Sequence, residues 1–315
     1  MAYKKILVPL DGSEIAEKAL PFVKSIARLR NSNVILFAVS LTVFVDRRDR
    51  LFTSYLEANA KELNEEGIKT TTATSYGDVA REIVKYANNN NNKIDLIVMA
   101  THGYSRAKQW MFGSITQKVL YGTKIPVLLI KSKSPDVSVE FNRILLPLDG
   151  SPFSESALPY AVGLAKNTKN EILLLHICEP PIVPSYGSRP ISPTWKKHRD
   201  DMWAEMEGLS KSYLKKTMAA LKKKGIKVKS KVIKAQGTEV TKTIMQISKE
   251  ENTDLIIIAT RGRSDVSSWV YGSIANRIVD EFSQPILLIR PATSIPPSPQ
   301  NLLDDIWQGY IARKT

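Results

Sequence analysis

The chain has 315 residues, 43% hydrophobic and 24% charged, with a formal net charge of +14. That length and apolar content suffice for two ordinary cores of roughly 150 residues each, and no stretch approaches the ~20 apolar residues of a membrane helix. A single cysteine, Cys178, excludes an internal disulfide framework and a cysteine-rich zinc site, and three scattered histidines make no metal site. Residues 1–10 carry too short an apolar run for a signal peptide, so a cytoplasmic protein is expected.

In chain order, residues 6–8 predict a short buried strand ended by Pro9. Helical spacing of Ala16, Ala19, Leu20, Val23, Ile26 and Ala27 predicts a helix over 13–29, capped by Ser13. A second apolar strand follows at 33–39, then a helix at 51–66 stopped by Gly67. The threonine-rich alternation of 68–75 suits an outer strand. A helix at 79–87, a buried strand at 96–100, a helix from about Gly113 and a strand at 127–130 complete the set.

The same series then recurs. Lys-Lys-Ile-Leu-Val-Pro-Leu-Asp-Gly-Ser at 4–13 returns as Asn-Arg-Ile-Leu-Leu-Pro-Leu-Asp-Gly-Ser at 142–151, an offset of 138. Asp-Leu-Ile-Val-Met-Ala-Thr-His-Gly at 95–103 returns at 254–262, Gly-Ser-Ile at 113 returns at 272, and the segment 124–131 returns at 284–290, with an offset of 159. Four blocks in one order define a duplication. The difference of 21 places an insertion in the second copy at about 179–200, rich in proline. Domains are expected at 1–133 and 142–291, joined by a linker at 134–141 and followed by a Pro-rich tail at 292–315. Leu302, Leu303, Ile306, Trp307, Tyr310 and Ile311 give that tail a short amphipathic pattern. The fold class is α/β: two tandem Rossmann-like doubly wound domains, each a five-stranded parallel sheet with helices on both faces.

Such sheets bind ligands beyond the carboxyl ends of the central strands. Asp11 and Asp149 follow the first strand of each copy. After the fourth strand come Ala100-Thr101-His102-Gly103, nine residues, then Gly113-Ser114; the second copy has Ala259-Thr260-Arg261-Gly262, nine residues, then Gly272-Ser273. A Gly-Ser pair opening a helix offers backbone N–H groups, the positive dipole end and a hydroxyl to a phosphate. The aspartates could accept from a ribose or help hold Mg2+. Conformational preference alone also places Gly and Ser at helix starts, so the weight rests on identical spacing in two copies.

With this motif, and an Asp after the first strand, the chain resembles the universal stress protein family over about 3–131 and 142–290. In ATP-binding members the aspartate and the region after the second strand serve the nucleoside, and the glycine motif holds the phosphates. The resemblance implies one site from Asp11, Ala100, His102, Gly103, Gly113 and Ser114, and a second from Asp149, Ala259, Arg261, Gly262, Gly272 and Ser273. Ala100 and Ala259 stand where the family motif has its first glycine; β-region backbone there tolerates alanine, whereas positive φ would not. His102 and Arg261 share one motif position. His176 reads as a packed strand histidine and Cys178 as a buried thiol. The resemblance further implies pairing of the last strands in a pseudo-dimer within the chain, and a possible homodimer.

No catalytic motif is visible, so the expected role is a stress-response protein that binds an adenine nucleotide, ATP with or without Mg2+, and hydrolyses it slowly or not at all. The alternative is an interaction scaffold using its basic helix and Pro-rich insertion. Ten lysines lie between Lys211 and Lys234 without an intervening acid. Lys211, Lys215 and Lys222 read as a solvated helix face opposite Tyr213, Leu214, Met218 and Leu221. Without accompanying zinc-finger or aromatic RNA-binding signatures, this run does not indicate a nucleic-acid partner.

Overall fold

The computed structural model describes residues 3–40, 48–101, 113–131, 140–179, 192–235, 239–260, 277–278, 281 and 284–291. Its elements run β1 (Lys5–Pro9), α1 (Glu14–Glu17), α2 (Leu20–Arg30), β2 (Asn33–Ser40), α3 (Arg48–Glu65), β3 (Thr70–Tyr76), α4 (Val79–Asn88), β4 (Leu96–Ala100), α5 (Ser114–Gly122), β5 (Val127–Ile130), β6 (Arg143–Pro147), α6 (Pro152–Glu155), α7 (Leu158–Ala165), β7 (Glu171–Cys178), α8 (Pro193–Lys223), β8 (Lys227–Lys234), α9 (Glu239–Glu250), β9 (Leu255–Ala259) and β10 (Ile286–Ile289). The chain forms two compact units. One combines Met1–Phe141 with Asp254–Ala292, and the other is built on Asn142–Thr253. The last two strands of the second copy therefore belong to the unit formed by the first copy.

In the first unit the strand order is β3-β2-β1-β4-β5-β10-β9. β1, β2, β3, β4 and β5 are parallel, and β9 is parallel to β10. Every residue of β4 and β5 is buried, which requires cover on both sheet faces and explains their unbroken apolar sequence. In β3 only Thr70 is buried and the other residues are half-buried or exposed, as suits an outer strand. From β1 the chain builds outward to β2 and β3, then returns to place β4 on the other side of β1. That reversal opens the sheet at the carboxyl ends of β1 and β4.

β10 pairs antiparallel with β5, matching Leu287 to Leu128, Ile286 to Leu129 and Leu288 to Val127. Leu287 follows Leu128 by the repeat offset of 159, so the register is centred on equivalent residues and the two strands meet about a local two-fold. The sequence-based expectation of paired last strands agrees with this geometry.

In the second unit β6, β7 and β8 are parallel neighbours. At the amino ends of these strands the Glu171 carboxylate, 4% exposed, lies 3.3 Å from Arg143 Nε and 3.3 Å from Lys229 Nζ. A buried carboxylate is tolerated only with such partners.

The single predicted helix over 13–29 is two helices. Pro21 has no N–H to bond the Glu17 carbonyl, so the chain breaks after one turn and restarts at Leu20. Pro159 does the same between α6 and α7. The expected insertion is partly helical: Ser192 Oγ accepts from Trp195 N and caps α8, which runs for 31 residues, against 18 for α3.

Candidate functional site

At the end of β1 the chain turns through Asp11-Gly12-Ser13. Gly12 has φ +79°, a conformation that disfavours a Cβ. Asp11 Oδ1 accepts from Ser13 N at 3.1 Å and from Ser13 Oγ at 2.6 Å, while Ser13 Oγ accepts from Ala16 N and caps α1. The aspartate is thus oriented by its own turn. The second unit repeats the arrangement: Gly150 has φ +82°, and Asp149 Oδ1 accepts from Ser151 N at 2.9 Å and Ser151 Oγ at 2.6 Å. Crowding by protein atoms raises the Asp149 pKa, but the Ser151 and Ser154 hydroxyls and the backbone N–H groups outweigh it and hold the carboxyl below its usual range.

Across the switch point in the first unit lies the end of β4. Ala100 pairs with Ile130 in the ladder and is 6% exposed. Its backbone is that of a strand, so the alanine in place of the family's glycine introduces no positive-φ strain. Ala259 pairs with Ile289 in the same way. Thr101 N donates to Ile130 O, and Thr101 O accepts from Gly113 N at 3.0 Å. Thr116 Oγ1 donates to Ala100 O at 3.2 Å and to Thr101 O at 3.1 Å, seating the first turn of α5 on the strand end.

Gly113 is the N-cap of α5 with φ −61° and ψ 144°, a conformation open to any residue. Its own N–H is taken by the Thr101 carbonyl. The amides of Ser114, Ile115 and Thr116 precede the first intrahelical bond, from Gln117 N to Gly113 O. Helix geometry leaves such first-turn amides without an intrahelical partner. Asp11, Ala100, Gly113 and Ser114 belong to one unit; of the second set, Asp149 follows β6 in the second unit, whereas Ala259 ends β9 in the first. His102, Gly103, Arg261, Gly262, Gly272 and Ser273 lie outside the described residues.

Sequence reasoning missed Thr116, whose hydroxyl fastens the helix start. The repeat offset puts Ala275 at the equivalent position, so the second copy lacks that hydroxyl. It also missed a paired tyrosine contact: Tyr55 OH donates to Glu17 Oε1 at 2.8 Å and Tyr213 OH to Glu155 Oε1 at 2.9 Å. Comparing the two copies for shared polar residues would have found it.

His176 is 5% exposed on β7, its Nδ1 is without a hydrogen-bond partner among the described residues, and its ring meets Tyr213 edge-on at 6.1 Å. Burial lowers its pKa, against the raising effects of the Leu148 backbone and the Asp149 carboxylate. The unfolded state therefore holds more protons between the folded pKa and about 6.5, and stability falls as pH drops through that window. Urea unfolding at pH 7.5 and 5.5 is expected to show this loss, with a slope of at most about 1.4 kcal/mol per pH unit from this group. His176→Phe should flatten the dependence, and an unchanged slope would remove His176 as its source.

The basic stretch is partly neutralised within the second unit. Glu207 pairs with Lys211 at 2.5 Å and Lys234 at 2.9 Å, and these hydrogen bonds hold its carboxyl at about 2. Lys231 pairs with Glu251, and Lys227 and Lys229 reach Glu171. Leu214 and Leu221 are buried while Lys211, Lys215 and Lys222 are exposed, as the periodicity requires. Cys178 is buried, with its carbonyl accepting from Trp203 Nε1. Among the described residues no group of acidic, histidine or cysteine side chains is arranged to hold a metal ion, and no helix is long and apolar enough to cross a membrane.

A doubly wound parallel sheet, with an aspartate turn after β1 and a helix start after β4, defines an α/β fold of the Rossmann-like class. The model of the universal stress protein family matches residues 2–131 and again 140–290. The chain belongs to that family, as a tandem member with two such domains. A universal stress protein of Methanocaldococcus jannaschii is 32% identical over 160 residues, covering 42% of this chain and 97% of that protein. One from Mycolicibacterium smegmatis is 21% identical over 305 residues, covering 91% of this chain and 97% of that protein. The crystal structure of a universal stress protein from Archaeoglobus fulgidus superposes with a TM-score of 0.65 at 21% identity, over 93% of this chain and 100% of that one.

Proposed function

We propose that this stress-response protein binds an adenine nucleotide, ATP, and acts by holding it rather than by rapid turnover. The observation that carries the reading is the carboxyl edge of β1 and β4. There Asp11 is fixed by its turn, and α5 begins with three amides that have no intrahelical partner, behind a glycine whose backbone conformation does not require glycine. A residue without Cβ at that point serves close approach by a ligand, and the amides and helix dipole favour an anion. Alanine at 100 and 259 is compatible with the reading, because both positions have strand geometry.

In this assignment Asp11, Ala100, His102, Gly103, Gly113 and Ser114 form the first site. Asp149, Ala259, Arg261, Gly262, Gly272 and Ser273 are the corresponding residues of the second copy. The phosphates lie at the α5 amides and the ribose at the aspartate. Where Mg2+ accompanies ATP, Asp11 is the residue that would help to hold it, and the ion would supply charge neutralisation of the phosphates. The reading includes a cytoplasmic location and a homodimer, the latter tested by a light-scattering mass near twice that of the chain.

Calorimetric titration of the full chain with Mg-ATP tests the proposal. Saturable binding of about one or two nucleotides per chain is expected, with hydrolysis slower than ~1 per second, the lower end of ordinary enzymes. Absence of binding would leave the scaffold reading. That reading draws its support from α8, 31 residues long, whose first turn carries Trp195, 51% exposed.

A further inference from the structure

The helices that follow the Asp-Gly-Ser turns are single turns. α1 and α6 are four residues each, joined to the serine cap by a backbone hydrogen bond, Glu17 N to Ser13 O and Glu155 N to Ser151 O, both 3.1 Å, and by the serine hydroxyl accepting from Ala16 N or Ser154 N. One turn of helix does not sustain itself in water. Contacts from outside therefore help to hold its geometry, and with it the turn that orients the aspartate.

Each turn is tied by the same contact. Tyr55, on α3, donates to Glu17 at the end of α1. Tyr213, on α8, donates to Glu155 at the end of α6. Glu155 stands 138 positions after Glu17 and Tyr213 stands 158 after Tyr55, so both partners recur on opposite sides of the insertion-bearing loop. All four side chains are half-buried. Burial raises both tyrosine pKa values, reinforced by the bonded glutamates and, less strongly, by Asp11 on Tyr55 and Asp149 on Tyr213. The phenols therefore remain donors at all working pH values, and the field of each aspartate reaches the tyrosine of its own unit. A direct chain of bonds runs from the long helix through tyrosine, glutamate, the single turn and the serine cap to the aspartate carboxylate.

We propose that Tyr55 and Tyr213 are positioning residues for the nucleotide, each using its glutamate to hold the aspartate turn in the orientation that receives the ribose. This rests on the nucleotide-binding reading above. Without the hydroxyl, the glutamate carboxylate loses its donor, the one-turn helix is free to shift, and the aspartate no longer meets the ligand in a fixed pose.

The test is calorimetric titration of the full chain with Mg-ATP, alongside the thermal midpoint of the ligand-free protein. The double variant Tyr55→Phe, Tyr213→Phe keeps both rings and removes only the hydroxyls. Its Kd is expected to rise about tenfold, in the range of one lost hydrogen bond, while the ligand-free midpoint moves by less than about 3 °C. Glu17→Gln with Glu155→Gln keeps an acceptor oxygen for each phenol and is expected to bind within about threefold of the parent; Glu17→Ala with Glu155→Ala should repeat the tenfold loss. An unchanged Kd in the phenylalanine variant overturns the proposal, as does a glutamine variant as weak as the alanine one. A parent chain that binds no Mg-ATP overturns the nucleotide reading itself, and is told apart because it fails before any substitution is made.

Discussion

Leu287→Asp is expected to unfold the first unit, the largest stability effect of any single change considered for this chain. Leu287 is 2% exposed at the centre of the β5–β10 pair, opposite Leu128 at 1%. Removing a buried leucine side chain costs about 2–5 kcal/mol. An unpaired carboxylate in its place adds several more, or is driven neutral. The total is comparable with the roughly 5–15 kcal/mol that keeps a domain folded. Leu287→Ala, which lacks the charge, should lose only about 2–5 kcal/mol. Urea unfolding followed by circular dichroism reads both. A Leu287→Asp chain within about 1 kcal/mol of the parent would show that the antiparallel pair is not part of the unit's core.

Changing Gly113, together with its repeat counterpart Gly272, to aspartate should separate stability from binding. Gly113 already has N-cap geometry but no side-chain acceptor. Aspartate at such a position gains a few tenths of a kcal/mol by capping the next amides and by complementing the helix dipole. For a phosphate the consequences are opposite: the new carboxylate takes the amides the ligand needs and repels its charge. Gly113→Asp together with Gly272→Asp is therefore expected to leave the thermal midpoint equal or slightly higher while weakening ATP about 100-fold, the effect of about 2.7 kcal/mol. Asparagine at both positions, which caps without charge, should weaken it less. Unchanged affinity in the aspartate chain would remove the helix start from the site.

Much of this architecture was legible in the sequence because its signals are local. Apolar runs such as 96–100 and 127–130 are strands covered on both faces, and their limits coincide with β4 and β5. Duplication made the aspartate turns and the glycine motifs stand out twice. The break between α1 and α2 was also written locally, in Pro21, but helical spacing on both sides of it masked the interruption. What was not legible depends on contacts distant in sequence. Grouping of β9 and β10 with the first copy follows from pairing between residues 159 apart, which periodicity does not encode. The Tyr55–Glu17 bond joins residues 38 apart, on helices that each look self-sufficient. At the site, spacing identified Gly113 but not its lost donor, since only the fold brings Gly113 N to Thr101 O.

The most direct test of the central claim uses protein purified without added nucleotide. The full chain is denatured and the released small molecules are quantified by chromatography and mass spectrometry. Bound adenine nucleotide, ATP or its hydrolysis products, near one or two per chain is the expected result. A protein that releases none, and that then gives no heat on titration with Mg-ATP, would contradict it.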